Sequence, residues 1–216
     1  FSPLILMHSL TAVVVITFTL VLSHSFAAEM PKPIKALLVI GGCCHNYAAQ
    51  KDILKVELEK RINLKVDVAY SADKTTTPAL PILGNPHYAK GYDVVIHDEC
   101  GARINDPSVI QHVLAPHRAG IPGVNLHCAM HSYRIGPPAT PAAAGSERAA
   151  WFEYLGVQSS GHGPKLPIIV GFSGEQSAIV RGFAEWTTGP EELYDNIQIY
   201  PTATVLVRGK QLVKEN

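Results

Sequence analysis

The sequence predicts an α/β fold built on a mainly parallel sheet, and two observations carry that prediction. Continuous apolar runs of strand length alternate with longer stretches of helical periodicity. Apart from the alternating Leu64 to Ala69, the apolar runs lack the in–out alternation of a half-solvated sheet, so their strands read as buried on both faces, as when helices cover a parallel sheet from each side.

The elements follow in order. Ile34 to Ile40 (IKALLVI) is a continuous apolar strand that ends in Gly41-Gly42. Tyr47 to Arg61 reads as a helix, with Ile53, Leu54 and Leu58 at helical spacing among charges. Leu64 to Ala69 is a second strand, Tyr92 to His97 a third and Gly123 to His127 a fourth. Val109 to Ala119 separates the last two as a helix. Ala149 to Leu155 reads as a short helix, and Pro167 to Phe172 and Ala203 to Arg208 as later strands. Thr75 to Gly91 and Gly136 to Gly145 are Pro-rich loops, read as a mobile flap or surface slack. No internal repeat or second domain is expected.

Ahead of this pattern, Leu10 to Leu22 is apolar except for three threonines, and Ser25-Phe26-Ala27 offers small residues for cleavage after Ala27. That apolar run is too short to span a bilayer comfortably, so residues 1–27 are expected to be a secretory signal. An uncleaved anchor is the competing reading, since no Lys or Arg precedes Lys32 and the chain opens with Phe1. Residues 28–216 are then the folded domain, exported to a periplasmic or extracellular space. No second membrane segment follows the leader.

Lys plus Arg and Asp plus Glu number 18 each, giving zero net charge. Clustered positive charge is what holds phosphate backbones, so nucleic acid is excluded as a partner. The four cysteines, Cys43, Cys44, Cys100 and Cys128, fit neither a stapled miniature scaffold nor a zinc ribbon. They read as buried structural thiols. There is no Walker loop, dinucleotide fingerprint, HExxH or serine elbow.

What stands out is where the polar residues fall. The first strand runs out into Gly41-Gly42-Cys43-Cys44-His45-Asn46, the third into His97-Asp98-Glu99-Cys100-Gly101 and the fourth into His127-Cys128-Ala129-Met130-His131. In an open parallel sheet these carboxyl ends share one edge, the edge at which ligands bind. Topology alone is thus expected to gather His127, His45 and a carboxylate into one cleft.

GGCCHNY at the first strand's exit, IPGVNLHCAMH, Gly161-His162 after Trp151 and GPEELYDN near the end, in that order, resemble the ThuA-like (trehalose-utilisation) family. The resemblance covers about Ile34 to Arg208. It implies a flavodoxin-like three-layer sandwich related to class I glutamine amidotransferases. It also implies carbohydrate metabolism, with a small sugar as the partner molecule. The position that carries the amidotransferase cysteine corresponds to His127, with Cys128 one residue later, so glutamine amidotransferase chemistry is not expected. The family pattern runs on past Gly209-Lys210, so the domain reads as cut short at its carboxyl end.

The candidate catalytic residues are therefore His127, His45 and Glu192, with His127 as acid or base. Candidate substrate-binding residues are Asp98, Glu99, Cys128, His131, His162 and Tyr194. Each has a structural alternative: a loop-bonded or helix-starting histidine, a capping carboxylate, a surface-turn glutamate. Trp151 reads as a sugar-stacking platform or as core. No cofactor is implied outright, although three histidines with Asp98 or Glu192 would suit a divalent metal. The leading function is a carbohydrate-processing hydrolase or related acid/base enzyme. A non-catalytic sugar-binding module and a Cys128-dependent thiol enzyme are the alternatives.

Overall fold

The structure, a computed structural model, describes residues 31–212. The expected leader, residues 1–27, lies outside the described residues.

The chain forms β1 (Ile34–Gly42), α1 (Tyr47–Arg61), β2 (Leu64–Ser71), β3 (Val94–Cys100), α2 (Pro107–Arg118) and β4 (Gly123–Asn125). These four strands make one parallel sheet in the order β2-β1-β3-β4. The chain winds outward from β1 to β2, then returns to add β3 on β1's other side. That reversal is a topological switch point, and it opens a crevice at the carboxyl ends of β1 and β3.

β1 explains why the apolar runs are continuous. Leu37 and Val39 pack with Val95, Ile110, Val113, Leu114 and Trp151, whereas Ala36, Leu38 and Ile40 pack with Tyr47, Val66 and Ile96. Successive side chains feed opposite faces, and each face has its own core. Helix α1 presents Tyr47, Leu54 and Leu58 to the second core. Ile53, expected to share that stripe, is 59% exposed, because it sits about 100° around the helix from Leu54. Asn46 caps α1 through a bond from the Ala49 amide, and Asp106 caps α2 from Ser108, with Pro107 opening the helix.

The third strand departs from the sequence reading. His97 to Cys100 was expected as its polar exit, but these residues lie inside β3, paired in register with Val39 to Gly42 of β1. His97 and Glu99 bond each other on one face of the strand, while Asp98 turns to the other face, toward His127 and Cys128. The Thr75–Gly91 loop is not slack either. It contains a 3-10 turn (Pro81–Gly84) and buries Leu83, Tyr88 and Ala89, with the Tyr88 hydroxyl donating to the Val113 carbonyl. Gly136 to Gly145 is pinned as well. The Arg148 guanidinium donates to the carbonyls of Ile135, Pro137 and Thr140, and the Gln158 amide bonds Pro138, Thr140 and Ala142.

After α3 (Ala150–Leu155), closed by Gly156 at φ 78°, the chain forms a separate antiparallel sheet. Its strands are β5 (Val157–Phe172), β6 (Trp186–Ile199) and β7 (Val207–Lys210), in the order β6-β5-β7. The sequence reading caught the second half of β5 but placed the last strand too early, at Ala203. It missed β6, whose Gly, Pro and acidic residues weaken the strand signal. Register shifts between Gln158 and Lys165 mark bulges where β5 carries Gly161-His162-Gly163-Pro164.

Candidate active site

Two tight strand exits build the floor of the crevice. Gly41 and Gly42 have φ of 142° and 106°, and a Cβ on Gly42 would collide with the Cys100 carbonyl of the neighbouring strand. Only glycine lets β1 leave the sheet so close to β3. The following turn delivers His45 just before the α1 cap. At the end of β4, His127 has φ 45°, a left-handed conformation that a non-glycine residue adopts at a cost of about 1–3 kcal/mol. His127 is the first residue of a 3-10 turn to His131, and the buried Cys128 follows it.

Distant rings meet over this floor. The His45 and His127 rings stand edge to face at 4.7 Å, and His127 meets Tyr194 at 5.1 Å. Tyr194 stacks on His131 at 4.4 Å and on His162 at 5.8 Å. The antiparallel ribbon supplies the far side, since His162 and Tyr194 are cross-strand partners in β5 and β6. Glu192 comes from the same ribbon, with its side chain 9% exposed, 3.8 Å from His127 Nε2 and 3.7 Å from His162 Nε2. Lys165 approaches the other Glu192 oxygen at 3.4 Å.

The hydrogen bonds fix the tautomer of His127. Its Nε2 faces the carboxylates of Glu191 at 3.4 Å and Glu192, which accept only, so Nε2 carries the hydrogen. Its Nδ1 is then an acceptor and takes the Tyr194 hydroxyl at 2.8 Å. The Cys128 sulfur, followed by the two glutamates, raises the His127 pKa against the opposing effect of burial. Cys128 Sγ lies 3.0 Å from His45 Nε2. Its thiol is held below the ordinary range by the Cys100 thiol first and then by His127, His45 and Tyr194.

Burial sets most of the remaining protonation. It pushes the Asp98 carboxyl up to about 7, with Glu99 adding to the rise and His127 opposing it. It pushes His131 down to about 4, so that ring is neutral and its Nε2 meets the Ser159 hydroxyl at 2.9 Å. Burial also lowers Arg134 and raises the phenols of Tyr47 and Tyr194 well above their usual range. Among the described residues, the Tyr47 hydroxyl, Asp98 Oδ2 and Arg134 Nη1 are buried without a hydrogen-bond partner. Each of the three groups interacts electrostatically with Cys128. Buried polar atoms left open are costly unless something binds them. Beside His45 a cavity of about 350 Å³ is lined by Gly42, Tyr47, Ser71 and Lys74.

The structure thus brings together His127, His45, Glu192, Asp98, Cys128, His131, His162 and Tyr194. It places Glu99 elsewhere. Glu99 is fully buried on the opposite face of β3, accepting from the Tyr133 hydroxyl at 2.6 Å and the His97 Nδ1 at 2.8 Å. Trp151 is also core, its Nε1 donating to the Ala129 carbonyl. Glu191, Arg134 and Tyr47 were missed as site residues. Glu191 adjoins Glu192, but with β6 unrecognised nothing in the sequence placed it beside His127. A lone arginine and a helix-start tyrosine give no pattern signal.

The three-histidine metal set does not assemble. Among the described residues, the donor groups that come within 4.8 Å of one another are His45, His127 and Cys128; His127, Glu191 and Glu192; and Cys43, Cys44 and Cys100. The first offers nitrogen and sulfur and suits zinc-type ions, whereas the second is dominated by carboxylates. No family model, curated protein or solved structure matches the chain.

Proposed function

We propose that the chain is an acid/base enzyme of the ThuA-like type that acts on a small polyhydroxylated substrate, a sugar or oxidised sugar, with His127 as the proton-transfer group. The observation that carries this reading is His127 itself. It is a strained, half-buried imidazole whose Nδ1 is offered as acceptor while two carboxylates hold its Nε2–H. Such an imidazole gains a proton readily, because the imidazolium that forms is already compensated. A substrate O–H, or a C–H beside a sugar carbonyl, replaces the Tyr194 hydroxyl at Nδ1. The imidazolium so formed returns that proton to the departing oxygen, while Tyr194 hydrogen-bonds the substrate beside it.

The unpaired atoms suit a ligand rich in hydroxyls. Arg134 Nη1 and the Tyr47 hydroxyl are donors for an oxygen that gains negative charge. Asp98, protonated up to about pH 7, supplies a further bond. The stacked Tyr194, His131 and His162 rings provide a flat wall of the kind on which sugar rings pack. Two opposed carboxylates of the usual glycosidase arrangement are not what this site offers, since Glu191 and Glu192 both face the same ring nitrogen.

Turnover of a panel of disaccharides and their keto derivatives tests the proposal. Activity on at least one of them, lost in His127→Ala, is expected; undiminished activity in that variant ends it. Binding of a sugar with no turnover in the wild type assigns the fold to a sugar-binding module instead. A second reading rests on the 3.0 Å approach of His45 to Cys128, an activated thiol–imidazole pair able to act as a nucleophile. Selective alkylation of Cys128 that abolishes turnover favours it, and turnover that survives alkylation removes it.

A further inference from the structure

The four cysteines are free thiols; Cys100 and Cys128 belong to the core beside α1, and Cys43 packs against it. Cys44 is exposed, Cys43 half-buried and Cys100 buried. The parallel register pairs Gly42 with Cys100, so the next residue of β1's exit arrives beside the end of β3. Cys43 Sγ stands 3.3 Å from Cys100 Sγ and 2.7 Å from Cys44 Sγ. All three sulfurs fall within 4.8 Å of one another. Cys44 has φ 84°, so the backbone adopts a left-handed conformation at the point where two consecutive thiols meet. Non-glycine residues are held in that conformation mainly at functional sites.

We propose that Cys43, Cys44 and Cys100 form a trithiolate site for a soft d10 divalent cation of the zinc type. Tetrahedral zinc–sulfur bonds of about 2.3 Å set donor sulfurs about 3.8 Å apart. The Cys43–Cys100 pair is within half an ångström of that spacing. Cys44 has to swing out by about an ångström, which its exposed side chain permits. Three sulfur donors select zinc, cadmium or cuprous ions over magnesium or calcium, which prefer oxygen. On binding, three metal–sulfur bonds form and three S–H bonds break. The protons pass to solvent or to the neighbouring Cys128 sulfur, and no oxidant is involved. The fourth position opens toward solvent on the Cys44 side. The bound ion ties the β1 exit to the end of β3, immediately before His45, without using His127, Tyr194 or Glu192.

The test is a titration of the fully reduced protein with Cd²⁺ under anaerobic conditions, followed by thiolate-to-cadmium ultraviolet absorption and native mass spectrometry. One ion per chain is expected. Affinity falls at least tenfold in Cys43→Ser and Cys100→Ser. It is retained in Cys128→Ser and His127→Asn, which disable the neighbouring His45–His127–Cys128 group, and excess Mg²⁺ does not compete. If Cys100→Ser fails to fold, the Cys43→Ser/Cys44→Ser double variant, altered only at the less buried loop positions, carries the same prediction. No stoichiometric ion in the wild type overturns the proposal. So does binding that survives loss of Cys43 and Cys100 but vanishes in Cys128→Ser, which places the ion at the other group.

Discussion

Odd and even residues of β3 lead into two histidine clusters of opposite character. Val95, His97 and Glu99 face the core formed with α2 and α3, whereas Ile96, Asp98 and Cys100 face α1 and the crevice. On the odd face the polar atoms close on one another. Tyr133 bonds Glu99, Glu99 bonds His97, His97 Nε2 meets His117 Nε2 at 3.0 Å, and His117 Nδ1 donates to the Ile121 carbonyl. Burial pushes the His117 ring down to about 4. On the even face, Asp98 keeps an oxygen without a partner and looks toward His127 and Cys128. Both clusters join imidazoles to a carboxylate. The odd cluster is sealed in the core, where even the unpartnered Glu99 Oε2 is out of reach, whereas the even cluster opens on the crevice and its unpartnered Asp98 oxygen can meet a ligand.

The largest expected effect that separates the clusters is on activity. His127→Ala lowers kcat/KM on a turned-over sugar by about 10²–10⁴-fold, the usual worth of a general acid or base, and leaves the denaturation midpoint nearly unchanged. The wild-type rate falls as pH drops, with the midpoint of that acid limb above the ordinary imidazole value of 6.5, because the folded site raises the His127 pKa. A limb below that value breaks the assignment of His127 as base.

Next comes the closed cluster. Glu99→Ala strands the buried His97 and Tyr133, costing about 3–5 kcal/mol in chemical denaturation. Sugar affinity, measured in the fraction that remains folded, is unaffected. A variant that folds normally but binds no sugar makes Glu99 part of the site after all.

Gly42→Ala should cost about 1–3 kcal/mol for the positive φ alone. It should also push the Cys43–Cys44–His45 turn away from β3, read as faster alkylation of Cys100. An unchanged alkylation rate means the turn accommodates a Cβ without moving.

The smallest effect is on the pH dependence of stability. The Asp98 carboxyl titrates near 7 when folded against an ordinary value of 3.8. The folded state therefore binds the proton more tightly, and this contribution to stability, complete below pH 3.8, is lost as pH rises through about 7. Asp98→Asn should flatten that fall, and an equally steep profile in the variant shows that Asp98 is not its source.

Much of the scaffold was legible in the chain. Tyr47–Arg61 is the helix its periodicity predicts, and the apolar run of β1 implied a strand with a core on each side. The edge where His45, Asp98 and His127 collect followed from parallel topology. The Glu99 assignment failed for a local reason: β3 runs three residues further than its apolar run, and each added residue alternates sides. The antiparallel ribbon was half legible. His162, Glu192 and Tyr194 were picked out by resemblance, but the β6 that carries two of them was not seen.

The sequence by itself determined the alternation of strand and helix, the crowding of polar residues at strand ends and the balance of acidic and basic charge. These are properties of neighbours along the chain, and short-range sterics and periodicity express them. Only the tertiary structure decided which face Asp98 and Glu99 take, that β6 carries Glu191 to His127, and that Cys43, Cys44 and Cys100 touch. Each of those depends on strand register and pairing between residues tens of positions apart, where a one-residue slip reverses the outcome.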